Sequence, residues 1–263
     1  MAKYTYTIIL LRELVRTDFR LRYQGSFLGY LWSVLKPLAL FVILYIVFVR
    51  FLRFGNAVPN YAVYLLLGIV LWSFFTEVTA NGLTAIVGRG DLIRKLSFPR
   101  YVIVLSTAFS AFINLGINLL VVAVFMLFTG VDFRLSLLWL PLIVVELFTL
   151  SLGLAFLLSA LYVRFRDISH IWEVMLQGLF YATPVIYPLS VIADKYAKLL
   201  LLNPLGQIVQ DARFVVVTDQ SPTLRSLGGQ WWWQAFPIVF VFVLAVLSAV
   251  YFRRQSRRFA EDI

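Results

Sequence analysis

Apolar residues run through this chain in long blocks separated by short polar breaks, and block length fixes what each can be. The hydrocarbon of a bilayer is about 30 Å thick and takes about 20 apolar residues to cross as a helix. Blocks at 32–51, 61–83, 101–128, 135–163, from 168 to 188 and 235–252 meet that length. They predict an all-α integral membrane protein with six transmembrane helices, because helices satisfy their own backbone groups in lipid. Within residues 1–31 the period differs. Ile8, Leu11, Val15 and Phe19 share one helical face and Arg12, Arg16 and Arg20 another, the mark of an amphipathic helix lying in the interface. Asp18 stands four residues before Arg22, the spacing of an intrahelical pair. Residues 189–234 hold only the short apolar runs 199–202 and 214–217. These predict two short external gate or re-entrant helices, with Trp231, Trp232 and Trp233 as an aromatic belt before the last span.

Exceptions inside the blocks carry more than the blocks do. Glu77 and Glu146 fall within spans and need partners there. Thr107, Ala111, Asn114 and Asn118 form a small and polar stripe, for helix packing or for a substrate path. Ser151, Ala155 and Ser159 form a small-xxx-small ridge. Gly178, Thr183, Pro184 and Pro188 predict that the fifth span is kinked or unwound at its far end.

Composition agrees and narrows the class. At 62% hydrophobic and 14% charged, the chain has more apolar surface than one water-facing domain hides. A net charge of +10 raises nucleic acid as a partner, but the bases cluster at block ends, which suits lipid head groups and an orientation signal instead. There is no cysteine, so no disulfide or thiolate metal site is expected. The one histidine, His170, is read as structural or interfacial. No cleavable signal peptide is expected, since the first apolar cluster is short and meets Arg12 at once. With six spans, the N-terminal bases, the island at 88–100, Arg164 with Arg166, and the basic tail 253–263 fall on one side. The positive-inside rule then predicts cytosolic termini and a multi-pass protein of the bacterial inner membrane.

The island GRGDLIRKLSFPR, at 88–100, sets Arg89, Arg94, Lys95 and Arg100 against the single acid Asp91. It stands with four further landmarks: RTDFRLRYQGSFLGYLWSVLKP at 16–37, RFRDI at 164–168, TPVIYP at 183–188 and LLNPLGQIVQDAR at 201–213. In this order they resemble the transmembrane permease subunit of ATP-binding-cassette polysaccharide exporters, which move lipid-linked O-antigen, teichoic acid, capsule or galactan chains. The resemblance covers residues 10–255 and leaves the loop 218–229 unassigned.

The resemblance implies a homodimer docked on two cytosolic ATPase subunits, with ATP and Mg on that partner and no cofactor or metal on this chain. No G-x-x-x-x-G-K-[ST] phosphate loop is present, so ATP hydrolysis and any catalytic residue belong to the partner. It also implies that the island is the coupling helix. Asp91 then caps it, Leu92, Ile93 and Leu96 dock as apolar knobs, Arg94, Lys95 and Arg100 stay outside, and Pro99 starts the next span. Arg16, Arg20, Arg22 and Tyr23 are candidates for meeting the diphosphate of a polyprenyl-linked polysaccharide. Tyr30, Trp32, Trp72, Phe74, Phe75, Asn114, Asn118, Tyr181 and Tyr187 are candidates for lining the channel, although interfacial anchoring explains the aromatics equally well. Pro184 and Pro188 would hinge the external gate. A permease for a drug or small lipid shares this plan; a secondary transporter or membrane enzyme would need repeated halves or clustered acids, which the sequence does not show.

Overall fold

The computed structural model describes residues 2–23, 29–52, 58–95, 98–228 and 231–259, and among these every regular element is helical. Helix α1 (Ala2–Tyr23) precedes α2 (Trp32–Tyr45), which continues as a π-helical turn over Ile46–Phe51. Then come α3 (Tyr61–Ala85), the short α4 (Gly90–Lys95) and α5 (Tyr101–Thr129). Next are α6 (Leu140–Arg164), α7 (Ile168–Ala182), α8 (Asp194–Leu201), α9 (Pro204–Val216) and α10 (Trp231–Gln255). Five of the helical stretches among the described residues are long and apolar enough to cross a membrane. The expected fifth span is the exception: α7 has 15 residues, about 22 Å of helix, and its chain unwinds at Thr183.

Helix α3 is the buried centre, packed against α2, α5, α6, α7 and α9. Small residues set its approach to α6. A Cβ on Gly82 would lie 2.6 Å from the Cβ of Ala155, and Ser151, Ala155 and Ser159 are all fully buried, so the ridge seen in the sequence is a packing seam. Helix α10 lies on the other side of α6, and α1 lies along α5.

Polar side chains fasten the bundle at both ends. At the base-rich end, Arg89, just before α4, pairs with Asp18 of α1. Arg89 Nη1 also donates to Ser106 Oγ of α5 at 3.3 Å and to the Ile103 carbonyl at 3.4 Å, and Ser106 Oγ donates to Asp18 Oδ2 at 3.2 Å. The expected Asp18–Arg22 pair falls on a side chain outside the described residues. With side chains 16% and 21% exposed, Asp18 and Arg89 gain more from pairing here than an exposed helix pair would. The side chain of Arg22 lies outside the described residues, as do those of Tyr23 and Tyr30.

At the opposite end the unwound corner 183–188 has lost its helical hydrogen bonds, and side chains from other helices replace them. Arg213 of α9 is fully buried. Its Nη1 donates to the Pro184 carbonyl (2.5 Å) and to Gln210 Oε1 (2.9 Å), its Nη2 to the Val185 carbonyl (2.5 Å) and its Nε to the Tyr64 carbonyl (3.1 Å). Its guanidinium carbon stands 3.5 Å from the Tyr64 ring centroid, a desolvated cation–π contact. Tyr61 Oη donates to the Ile186 carbonyl at 2.6 Å. Burial lowers the Arg213 pKa from its ordinary value, and Tyr64 and Tyr61 oppose that shift. Pro184 and Pro188 are buried, so the expected hinge is a fastened corner. Thr183 Oγ1 accepts from Asn203 Nδ2 at 3.1 Å, while Asn203 Oδ1 caps α9 by accepting from Leu205 N.

The loop 218–228 has a structural part too. Leu224 is buried with Leu189, Ala197 and Leu201 over α8, and the Pro222 carbonyl accepts from Gln210 Nε2 at 3.1 Å. Glu146 of α6 lies near Gln207 of α9, its buried Oε1 without a hydrogen-bond partner among the described residues, and the Gln207 side chain donates to Asp211 Oδ2 at 2.5 Å. Burial pushes the Asp211 carboxyl above its ordinary range, and the Gln207 bond offsets part of that.

Gly68 admits the Arg213 guanidinium: a Cβ there would lie 2.5 Å from Nη2 and 2.8 Å from the Val185 carbonyl. Gly68→Ala is expected to lower the apparent Tm of the detergent-purified protein by several degrees, about 1–3 kcal/mol of overpacking. Gly116→Ala, which meets nothing within 4 Å, should leave it unchanged or slightly raised. At the other end, Asp18→Asn and Arg89→Gln should each lower Tm, and the double variant should lose no more than the worse single one. Additive losses would show that the two side chains do not act as a pair.

Candidate functional site

Between α2, α3 and α5 lies a groove of about 780 Å³ whose largely apolar walls carry a cluster of polar groups. Helical spacing explains its composition. Ser73, Thr76, Glu77, Ala80 and Asn81 stand on one face of α3, and Asn114 and Asn118 stand one turn apart on α5. Asn114 Nδ2 donates to Glu77 Oε1 at 2.8 Å. Asn118 Nδ2 donates to the Asn114 carbonyl at 2.8 Å and to the Ser33 carbonyl of α2 at 3.2 Å. These bonds hold three helices at fixed separation and supply the partner that Glu77 requires.

The groove is rich in acceptors. The buried Asn114 Oδ1 and Thr76 Oγ1 have no hydrogen-bond partner among the described residues, and the Glu77 carboxylate stands between them in sequence and space. The exposed Lys36 lies on the α2 wall, and Trp32 and Trp72 add aromatic surface. Hydroxyl donors and C–H faces complement such a surface.

The structure divides the expected site residues into groups. Trp32, Trp72, Phe74, Asn114 and Asn118 line the groove. Phe75 does not: it is 2% exposed and packs on Trp172, with ring centroids 6.3 Å apart. Tyr181 is exposed on α7, and its carbonyl accepts from Tyr187 Oη at 3.0 Å. On the same exposed face of α7, His170, Glu173 and Gln177 precede Tyr181 at helical spacing, a polar stripe absent from the expected set. Arg16 and Arg20 are exposed on α1.

The island is turned differently from its expectation. Ile93 is 6% exposed and belongs to the core, so it anchors α4 inward and is no docking knob. Leu92 is half-buried, whereas Asp91, Arg94 and Lys95 are exposed. Asp91 lies within the first turn of α4, where it favours the helix dipole without capping. Leu96 lies outside the described residues. Lys36, Glu77, Asn81 and Arg89 were not among the expected site residues. For Glu77 and Asn81 the signal in the sequence was the polar face 73–81 of α3, which Glu77 alone had marked.

The family description ABC-2 type transporter matches residues 9–216. An O-antigen export system permease protein of Myxococcus xanthus is 31% identical over 259 residues, covering 97% of this chain and 95% of that one. A permease of the same description from Klebsiella pneumoniae is 27% identical over 259 residues, with the same shares. A polysialic acid transport protein of Escherichia coli is 26% identical over 218 residues, 82% of each chain. With most of its length matched and its helices arranged around the polar groove, the chain belongs to the ABC-2 type transporter family.

Proposed function

We propose that this chain is the permease subunit of an ATP-driven exporter that carries lipid-linked polysaccharide across the inner membrane. The observation that carries this reading is the end-to-end similarity to permeases named for O-antigen export. The groove supports it, since Glu77, Asn81 and Ser73 on its α3 wall can meet sugar hydroxyls while sugar C–H faces stack on the exposed Trp32. Arg16 and Arg20 on α1 suit the diphosphate of the carrier lipid.

In this reading the chain works as a homodimer with two cytosolic ATPase subunits, its termini and α4 on the cytosolic side. The stripe His170, Glu173, Gln177 and Tyr181 supports assembly, because a polar helix face at membrane depth needs another copy or a hydrated path against it. Helix α7, with the fastened corner 183–188, then serves as the sixth crossing element, completed by backbone that side chains satisfy. Coupling falls to Leu92, Arg94, Lys95, Pro99 and Arg100, with Ile93 as the inward anchor that carries motion into α3 and α5.

Leu92→Asp should leave the permease in the membrane at normal level and abolish ATP-driven export; intact export would overturn the coupling assignment. Glu77→Gln removes a charge without changing volume and should lower export about tenfold, the loss expected from one hydrogen bond to a charged group. A purely structural Glu77 predicts unchanged export and unchanged or higher stability. The system as a whole is tested by turnover of ATP and polymer in vesicles holding the permease with its co-purified ATPase subunit, where either protein alone should export nothing.

A further inference from the structure

Where α4 turns into α5 and the end of α10 comes beside them, a second cavity of about 570 Å³ opens at the base-rich end. Four cations line it, Arg94, Lys95, Arg100 and Arg257, over a floor that includes Phe98 and Pro99. No carboxylate lines it among the described residues. Arg89, immediately before α4, is matched by Asp18; among the described residues none of these four has an acid within ion-pair distance. Cations gathered from separate parts of the chain into one cavity repel each other until an anion joins them.

Three features define that anion. The bases include guanidinium groups, which bind phosphate oxygens in a planar fork. The apolar floor suits a ligand with carbon beside its phosphate. Position is the third: α5 begins at Tyr101 and α10 ends at Gln255, so the cavity lies where two membrane-length helices end, at the depth of lipid head groups. Basic pockets between helix ends on one membrane face are typical sites for such head groups. The volume falls within the ~300–1,000 Å³ of sites that hold a small organic molecule, more than a bare phosphate needs.

We propose that this cavity binds the phosphate-bearing head group of an anionic phospholipid, which bridges the end of α10 to α4 and fixes the orientation of the island. The site does not depend on which cargo the protein carries.

The test uses the full chain in neutral phosphatidylcholine nanodiscs, titrated with cardiolipin or phosphatidylglycerol, with bound lipid counted by native mass spectrometry and thermal protection measured in parallel. Wild type should gain protection and retain anionic lipid. Arg94→Gln with Arg257→Gln should weaken the lipid affinity about thirtyfold, from two charge contacts. Arg94→Lys with Arg257→Lys, which keeps the charge and controls for folding, should weaken it only a fewfold. Arg164→Gln with Arg166→Gln removes equal charge from the same end and should leave affinity near that of wild type. Equal lipid binding by the glutamine pair and wild type overturns the proposal. So does protection by millimolar inorganic phosphate alone, which assigns the cavity to a soluble anion. Loss of ATPase co-purification with lipid binding intact also overturns it, and assigns the bases to an acidic surface of a protein partner.

Discussion

A backbone that leaves its helix inside a largely apolar bundle must find donors for its carbonyls, and here one buried arginine supplies most of them. Arg213 serves Pro184, Val185 and Tyr64 together, and Tyr61 serves Ile186. Truncating Arg213 would orphan the Pro184 and Val185 carbonyls at about 1–3 kcal/mol each. Among the described residues no carboxylate pairs with the guanidinium; its charge is met by carbonyl dipoles, the Gln210 amide oxygen and the Tyr64 ring. The consequence reaches α8, α9 and loop 218–228, which are stacked on this corner through Gln210 and Asn203.

Helix α3 joins the parts. Its first turns hold the Arg213 corner, its middle presents Glu77 to the groove, and the chain just beyond its end carries Arg89 into the clamp with α1 and α5. A force applied at α4 therefore reaches the groove through a helix gripped by polar bonds at both ends. The close contact of Gly82 with Ala155 holds α3 against α6, so tilting α3 moves α6 as well. Under the proposed function, this is the route that coupling would take through a bundle packed too closely to deform smoothly.

The exposed polar groups divide in the same manner. Those of the groove are partly paired; those of α7 form a stripe on an outer surface; those between α4 and α10 are four cations beside Ser256. Each has a different complement, and a bilayer core provides none of the three.

Block lengths in the sequence were sufficient for five membrane-length helices but not for the 15-residue α7, because apolar residues in runs of about 20 have few alternatives in lipid. The start of α3 at Tyr61, the start of α5 at Tyr101 and the break at Thr183–Pro184 stand where the pattern puts them. The Ser151–Ala155–Ser159 ridge was also legible, since small residues at helical spacing have one use in common. Pairings were not. Asp18 bonds Arg89, 71 positions away; Arg213 bonds Tyr64 across 149. Local spacing states which partners are near in sequence, while packing selects among all that become near in space. Ile93 shows the limit most simply: as one apolar residue in a six-residue helix it fits docking outward or anchoring inward equally, and its burial against the core decides for anchoring.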